Sequence, residues 1–229
     1  MSRCPVQECQ GEVRQGHALC RSCWAQVPRE LQVDLYRAAA ALRRNRRRNL
    51  DAYRWALSAA TVAAQLARNP KYSLLCVSCP QPWPWAVLRA GCRALPQPTA
   101  APVPPGRRLW VALHAPKEID AAGLAWMRDA LLLDAEVTPV QAVVAVASLK
   151  AVVAGDLCQD AWVRGSAWAW LLEGVVRLPQ PAPYVSREPF WLPTADLLEE
   201  IRRQWKAGRD APPELITETM KPTYPWDDQ

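Results

Sequence analysis

Apolar residues recur at helical spacing in the first third of the chain. Leu31, Leu35, Ala38, Ala39 and Leu42 form one stripe, and Pro28 suits the first helical position, where its missing N–H costs nothing. The pattern predicts an amphipathic helix over residues 28–42. It breaks at RRNRRRN, residues 43–49, where continuing the stripe would bury Arg46 or Asn49. A second stripe of Leu50, Tyr53, Leu57, Thr61 and Ala64 stops at Asn69, before Pro70. Two helices joined by a basic elbow are expected.

The pattern then changes. Residues 70–108 contain nine prolines, in runs such as PQPWPW and PQPTAAPVPPG, which neither propagate a helix nor suit a central strand. A semi-extended linker is expected, with one short helix over residues 85–94. Beyond it, RLWVALH reads as a short strand, and three helices are predicted. Asp120 caps the first, which reaches Leu133 with Leu124, Met127 and Leu131 aligned. Thr138 caps the second, with Pro139 in its first turn and Gln141 completing a capping box, and this valine-rich segment runs to about Ala154. Asp160 caps the third, which ends near Leu178. The second is apolar almost all round and so is expected at the centre of a small bundle. A last helix is capped by Thr194, carries Leu197 or Leu198, Ile201 and Trp205 as its stripe, pairs Glu199 with Arg203, and closes at Gly208. The residues after it read as an extended terminus.

Charge divides the chain at the linker. Residues 1–108 hold 17 Lys/Arg against 5 Asp/Glu, and residues 109–229 hold 11 against 17, giving +12 and −6. Such polarity fits halves with different partners, the basic one suited to a polyanion. No secretory signal is expected from the first residues, and the most apolar stretch, residues 137–154, is interrupted by Gln141, Ser148 and Lys150. A soluble cytoplasmic protein is expected, with reduced thiols.

The strongest chemical signal is CPVQECQGEVRQGHALCRSCW, residues 4–24. Four residues separate Cys4 from Cys9, ten follow, and Cys20 and Cys23 form a CxxC pair. Two close pairs joined by a hairpin, here turning at Gln15-Gly16, bring four sulfurs to the corners of a tetrahedron, the geometry Zn²⁺ takes from thiolates. One structural zinc ion on Cys4, Cys9, Cys20 and Cys23 is the expectation. The set is complete without His17. A thioredoxin-like CxxC needs a βαβ setting, and a cysteine nucleophile needs an oriented histidine; neither is evident. Cys76, Cys79 and Cys92 offer an incomplete second set, so small buried hydrophobes are the default for them.

These residues also carry a resemblance. The cysteine segment through PREL, an alanine-rich helix, the elbow and AYRWALSAA together resemble the short zinc-ribbon or treble-clef proteins of bacteriophage and prophage type, over residues 1–68 only. The resemblance implies zinc and small size more than it implies a task. The first pair departs from the usual knuckle, having four intervening residues rather than two, so ribbon and treble clef both stay open. The fold expected is mainly α: a zinc ribbon or treble clef with β-hairpin and two helices (1–69), a Pro-rich linker (70–108), a small helical bundle (109–178) and a Pro-rich tail with one amphipathic helix (179–229).

Arg43, Arg44, Arg46, Arg47 and Arg48, flanked by Arg37 and Arg54, put seven guanidinium groups within 18 residues, against the single carboxylate of Asp51. Such a knob grips phosphates without reading bases, and Tyr53 and Trp55 lie close enough to offer a stacking surface to a single strand. A solvated elbow in an arginine-rich composition accounts for the same residues. Trp168 and Trp170 cannot share one face of the helix expected there, so only one of them is placed in the core. Glycine-rich phosphate loops, HExxH and GxSxG are all missing, so catalysis is not expected. The reading that results is a non-enzymatic zinc-binding accessory protein of phage or mobile-element type. Its basic arginine cluster (Arg43, Arg44, Arg46, Arg47, Arg48, Arg54) binds DNA or RNA, and its acidic helical half binds a host or phage protein. Neither membrane nor small-molecule substrate is expected. The alternative is a protein-interaction factor, such as an inhibitor of a host machine, with purely structural zinc.

Overall fold

The computed structural model describes residues 2–104, 107–136, 141–163 and 165–210. In chain order its elements are β1 (Ser2–Arg3), β2 (Glu12–Val13), α1 (Arg21–Trp24), α2 (Arg29–Arg44), α3 (Arg46–Arg68), β3 (Leu74–Ser78), α4 (Trp83–Arg89), β4 (Ala94–Gln97), β5 (Trp110–Ala115), α5 (Ala121–Ala130), β6 (Ala142–Ala154), β7 (Trp168–Pro183), β8 (Phe190–Trp191) and α6 (Ala195–Arg209). Among the described residues, no helix is long and apolar enough to cross a membrane. The Thr138 cap, Pro139 and the extended terminus expected beyond residue 210 lie outside the described residues.

The expected mainly α architecture is overturned. Six strands form one mixed sheet in the order β4-β7-β6-β5-β3-β8. β3 pairs parallel with β5, and every other neighbouring pair is antiparallel. Its two longest strands, β6 and β7, occupy the segments expected to be bundle helices. Both faces of β6 are covered: Ala145, Ala147 and Leu149 enter the main core, while Val143 and Val146 enter a second cluster under α6. A strand buried on both faces shows a continuous apolar run, which periodicity cannot distinguish from a buried helix. Its β-branched valines favour the strand.

The proline-rich stretch is likewise no linker. β3 and β4 both join the sheet, and α4 lies between them. Pro96 fits because β4 is an edge strand, where a missing N–H leaves no central ladder bond unmade. The short strand expected in RLWVALH is β5. As strand residues, Trp168 and Trp170 do share a face, both packing into the main core, while Ala169 and Leu171 join a small cluster on the other side.

The sheet is strongly curled. β7 and β8 stand four places apart, about 19 Å on a flat sheet. Yet the rings of Trp170 and Phe190 stack with centroids 5.3 Å apart. Side chains standing perpendicular to a flat sheet would not meet across that span. Trp55 of α3 meets the same Phe190 edge-on at 5.1 Å, so α3 lies in the concavity. Its buried face is mostly alanine, from Ala56 through Ala59, Ala60, Ala63 and Ala64, which lets the helix come close to its neighbours.

The predicted helix termini hold in several places. Asp120 Oδ1 accepts from Gly123 N at 2.9 Å, and Thr194 Oγ1 accepts from Leu197 N at 3.4 Å. Gly208 does not close α6, which runs on to Arg209. A Cβ at Gly208 would lie 2.3 Å from the Arg177 carbonyl of β7, so the glycine is there to let helix and strand touch. Glu200, rather than Glu199, takes Arg203, at 2.7 Å.

Candidate metal centre

Two short devices bring the four cysteines together. Cys4 follows β1, and its N–H donates to the Gly11 carbonyl at 2.9 Å. The chain between turns so that Cys9 N donates to the Val6 carbonyl at 3.1 Å. Glu8 takes the left-handed conformation, with φ of 60°, and this accommodates the wide Cys4–Cys9 spacing. β1 and β2 pair antiparallel, Ser2 with Val13 and Arg3 with Glu12, so the small hairpin encloses the first cysteine pair instead of lying between the two pairs. The turn at Gln15-Gly16 is present, with Gly16 at φ 81°. Cys20 is the residue before α1 and Cys23 lies within it.

All four Sγ atoms lie within 4.8 Å of one another, and the set can hold a metal ion. The Cys9–Cys20 and Cys9–Cys23 sulfur separations are 3.7 and 3.5 Å. A tetrahedron with bonds of about 2.3 Å has edges of about 3.8 Å, close to these values. The four are free thiols; Cys4, Cys20 and Cys23 are buried and Cys9 is half-buried. His17 is exposed and outside the set.

The thiols differ in acidity. Cys20 is held down to about 6, first by its hydrogen bond with the Ser22 hydroxyl and next by the Cys23 backbone. Cys23 is pushed up to about 12, first by burial and then by sharing protons with Cys9 and Cys20. Burial also raises Cys4. A metal must displace these protons, so affinity at this site rises with pH.

Two contributors had no signal in the sequence. Arg68, in the last turn of α3, aims Nη1 at Cys9 Sγ and Cys23 Sγ, each at 3.6 Å. Its charge opposes that of four thiolates. It stands 45 residues from Cys23 in the chain, and only the fold brings them together. Gly11 is the other: a Cβ there would fall 2.7 Å from Cys20 Sγ and 3.3 Å from Cys9 Sγ. The loop between the two cysteine pairs has room for no larger residue there.

The arginines divide. Arg43 and Arg44 end α2, Arg46, Arg47 and Arg48 begin α3, and Asn45 alone joins the helices, accepting from Arg48 N at 3.1 Å as the N-cap. All five are exposed, and none enters an ion pair among the described residues. Arg54 departs from this tip. It approaches Asp51 at 3.9 Å and donates to the Arg187 carbonyl at 3.5 Å. The two aromatics also part: Trp55 turns inward to Phe190, whereas Tyr53 lines a cavity with His17, Trp24 and Tyr36.

Cys76 and Cys79 make no second centre, since the strand sends them to opposite faces: Cys76 packs under α6 and Cys79 in the main core. Both thiols are raised by burial, as is Cys92. No protein-family model matches this chain, and no curated protein is detectably similar to it.

Proposed function

We propose that Cys4, Cys9, Cys20 and Cys23 bind one structural zinc ion and that the module built on it, a non-enzymatic accessory factor, binds nucleic acid through phosphate contacts at the arginine tip. The donor set supports zinc: four cysteines at tetrahedral spacing are a closed structural set with no position left for a substrate. In the cytoplasm, where we place the protein, the thiols stay reduced and available to the metal.

The observation that carries the nucleic-acid reading is the placement of Arg46, Arg47 and Arg48. They occupy the first turn of α3, which has no acidic residue. A helix N-terminus favours negative charge, so three cations there oppose the macrodipole, with Arg43 and Arg44 adding to the repulsion. A polyanion relieves both effects. Arg54, held at the sheet edge, is left out of the contact set. The acidic second half is assigned in the same proposal to a protein partner, on its charge and with sheet in place of the helical bundle.

A salt titration tests it. Affinity for DNA or RNA should fall linearly on logarithmic axes as salt rises, and changing Arg46, Arg47 and Arg48 to alanine should reduce the slope by roughly 0.9 per lost contact on duplex DNA. Failure to bind DNA or RNA at low salt would contradict it.

A further inference from the structure

Between the loop of residues 16–19, with Trp24 of α1, and the α2–α3 helix pair lies a cavity of about 230 Å³ with aromatic walls. Trp24, Tyr36, Tyr53 and His17 contribute rings, and Leu35 and Ala39 form its apolar lining. Trp24 and Tyr36 meet edge-on with centroids 5.3 Å apart. Tyr36 is 62% exposed, so much of its ring stays open to a ligand.

Helical geometry connects this cavity to the arginine tip. Arg43 lies four residues beyond Ala39 and seven beyond Tyr36, on the same face of α2 and about 6 and 10 Å along its axis. Arg46 lies seven residues before Tyr53 on α3, again on the same face. A ligand that seats a flat ring among the aromatics therefore has guanidinium groups one to two turns away. No carboxylate lines the cavity, and the neighbouring cations repel a quaternary ammonium, which excludes the usual cationic occupant of an aromatic cage.

We infer that this cavity receives an unpaired nucleobase, so that the protein prefers single-stranded nucleic acid to duplex. The inference rests on the phosphate reading above and adds its specificity. In a duplex the base faces are covered by stacking and only the edges are presented, whereas a single strand offers its faces to aromatic rings. The metal centre carries part of the cavity: Trp24 directly follows Cys23, and His17 stands three residues before Cys20.

Fluorescence anisotropy at low salt, with a mixed-sequence DNA oligonucleotide and its duplex, tests this on the zinc-loaded full chain. Tyr36→Ala, at an exposed position, should fold as wild type by circular dichroism. It should weaken single-strand binding about five- to hundredfold while leaving the salt slope and the duplex affinity unchanged. Tyr36→Phe should bind like wild type, because the ring is what matters. Tyr36→Ala binding single strands as tightly as wild type, or losing single strand and duplex equally, would overturn the inference and leave the phosphate reading in place. Absence of binding to either form would overturn both.

Discussion

Ser58 satisfies both backbone groups of Phe190: its hydroxyl donates to the Phe190 carbonyl at 2.8 Å and accepts from the Phe190 N–H at 3.2 Å. β8 is an edge strand, and its outward backbone would otherwise be unpaired. One helical serine thus closes the sheet edge and fixes the helix that carries Arg68. Ser58→Ala strands two buried groups, so urea unfolding should show a loss of about 1–3 kcal/mol. An unchanged midpoint and slope would mean that another group or water takes over.

Gly11→Ala tests the close approach of the backbone to the cysteine cluster. The added methyl would lie 2.7 Å from Cys20 Sγ and press on Cys9 Sγ at 3.3 Å, so the variant should purify with markedly less metal than wild type. A full complement would show that the loop yields easily.

Arg68 acts on the thiolates from outside the ligand set. Arg68→Met should keep the bound ion but release it more readily to a chelator, with affinity about 10- to 100-fold lower, as for other residues that support metal ligands. Equal competition curves for variant and wild type would show that its contact with Cys9 and Cys23 carries no energy.

His114 supplies a pH prediction. Its ring is fully buried, Nε2 donates to the Tyr184 carbonyl at 2.9 Å, and Nδ1 pairs with the Ser78 hydroxyl at 3.2 Å. Burial lowers its pKa from 6.5, outweighing the Tyr184 carbonyl and the charge of Glu118, which both favour the proton. A lowered folded value means that the unfolded chain takes up the proton first. The contribution to stability is therefore complete above 6.5 and is lost as pH falls through the folded value. The imidazole resonances should titrate below 6.5 by NMR, and stability relative to His114→Gln should fall on acidification through that range. Titration at or above 6.5 would contradict the assignment.

The local signals for helices were legible in the residues. Asp120 and Thr194 cap where their spacing to an apolar stripe predicts, and Asn45 divides the arginine elbow. What failed was long-range: the first half of β6 is apolar because layers cover both of its faces, β7 is set by its pairing with β6 and β4, and no local period records such distant neighbours. Prolines misled for a related reason, since Pro96 is harmless on an edge and disruptive in a centre. The cysteine set was readable because metal ligands must sit at fixed spacing whatever surrounds them. Arg68, Ser58 and the aromatic cavity are products of packing, and their residues are unremarkable one by one. Arg107 is similar: it donates to the Leu66 and Pro70 carbonyls at 2.6 Å each, and to that of Tyr72, securing the end of α3 from within what reads as linker.

The proposed function depends first on four sulfurs sharing one zinc ion. Elemental analysis with X-ray absorption of protein purified without chelator measures this directly. One zinc per chain is expected, with four sulfur neighbours at about 2.3 Å. A chain free of transition metal, or zinc coordinated mainly by nitrogen and oxygen, would contradict it.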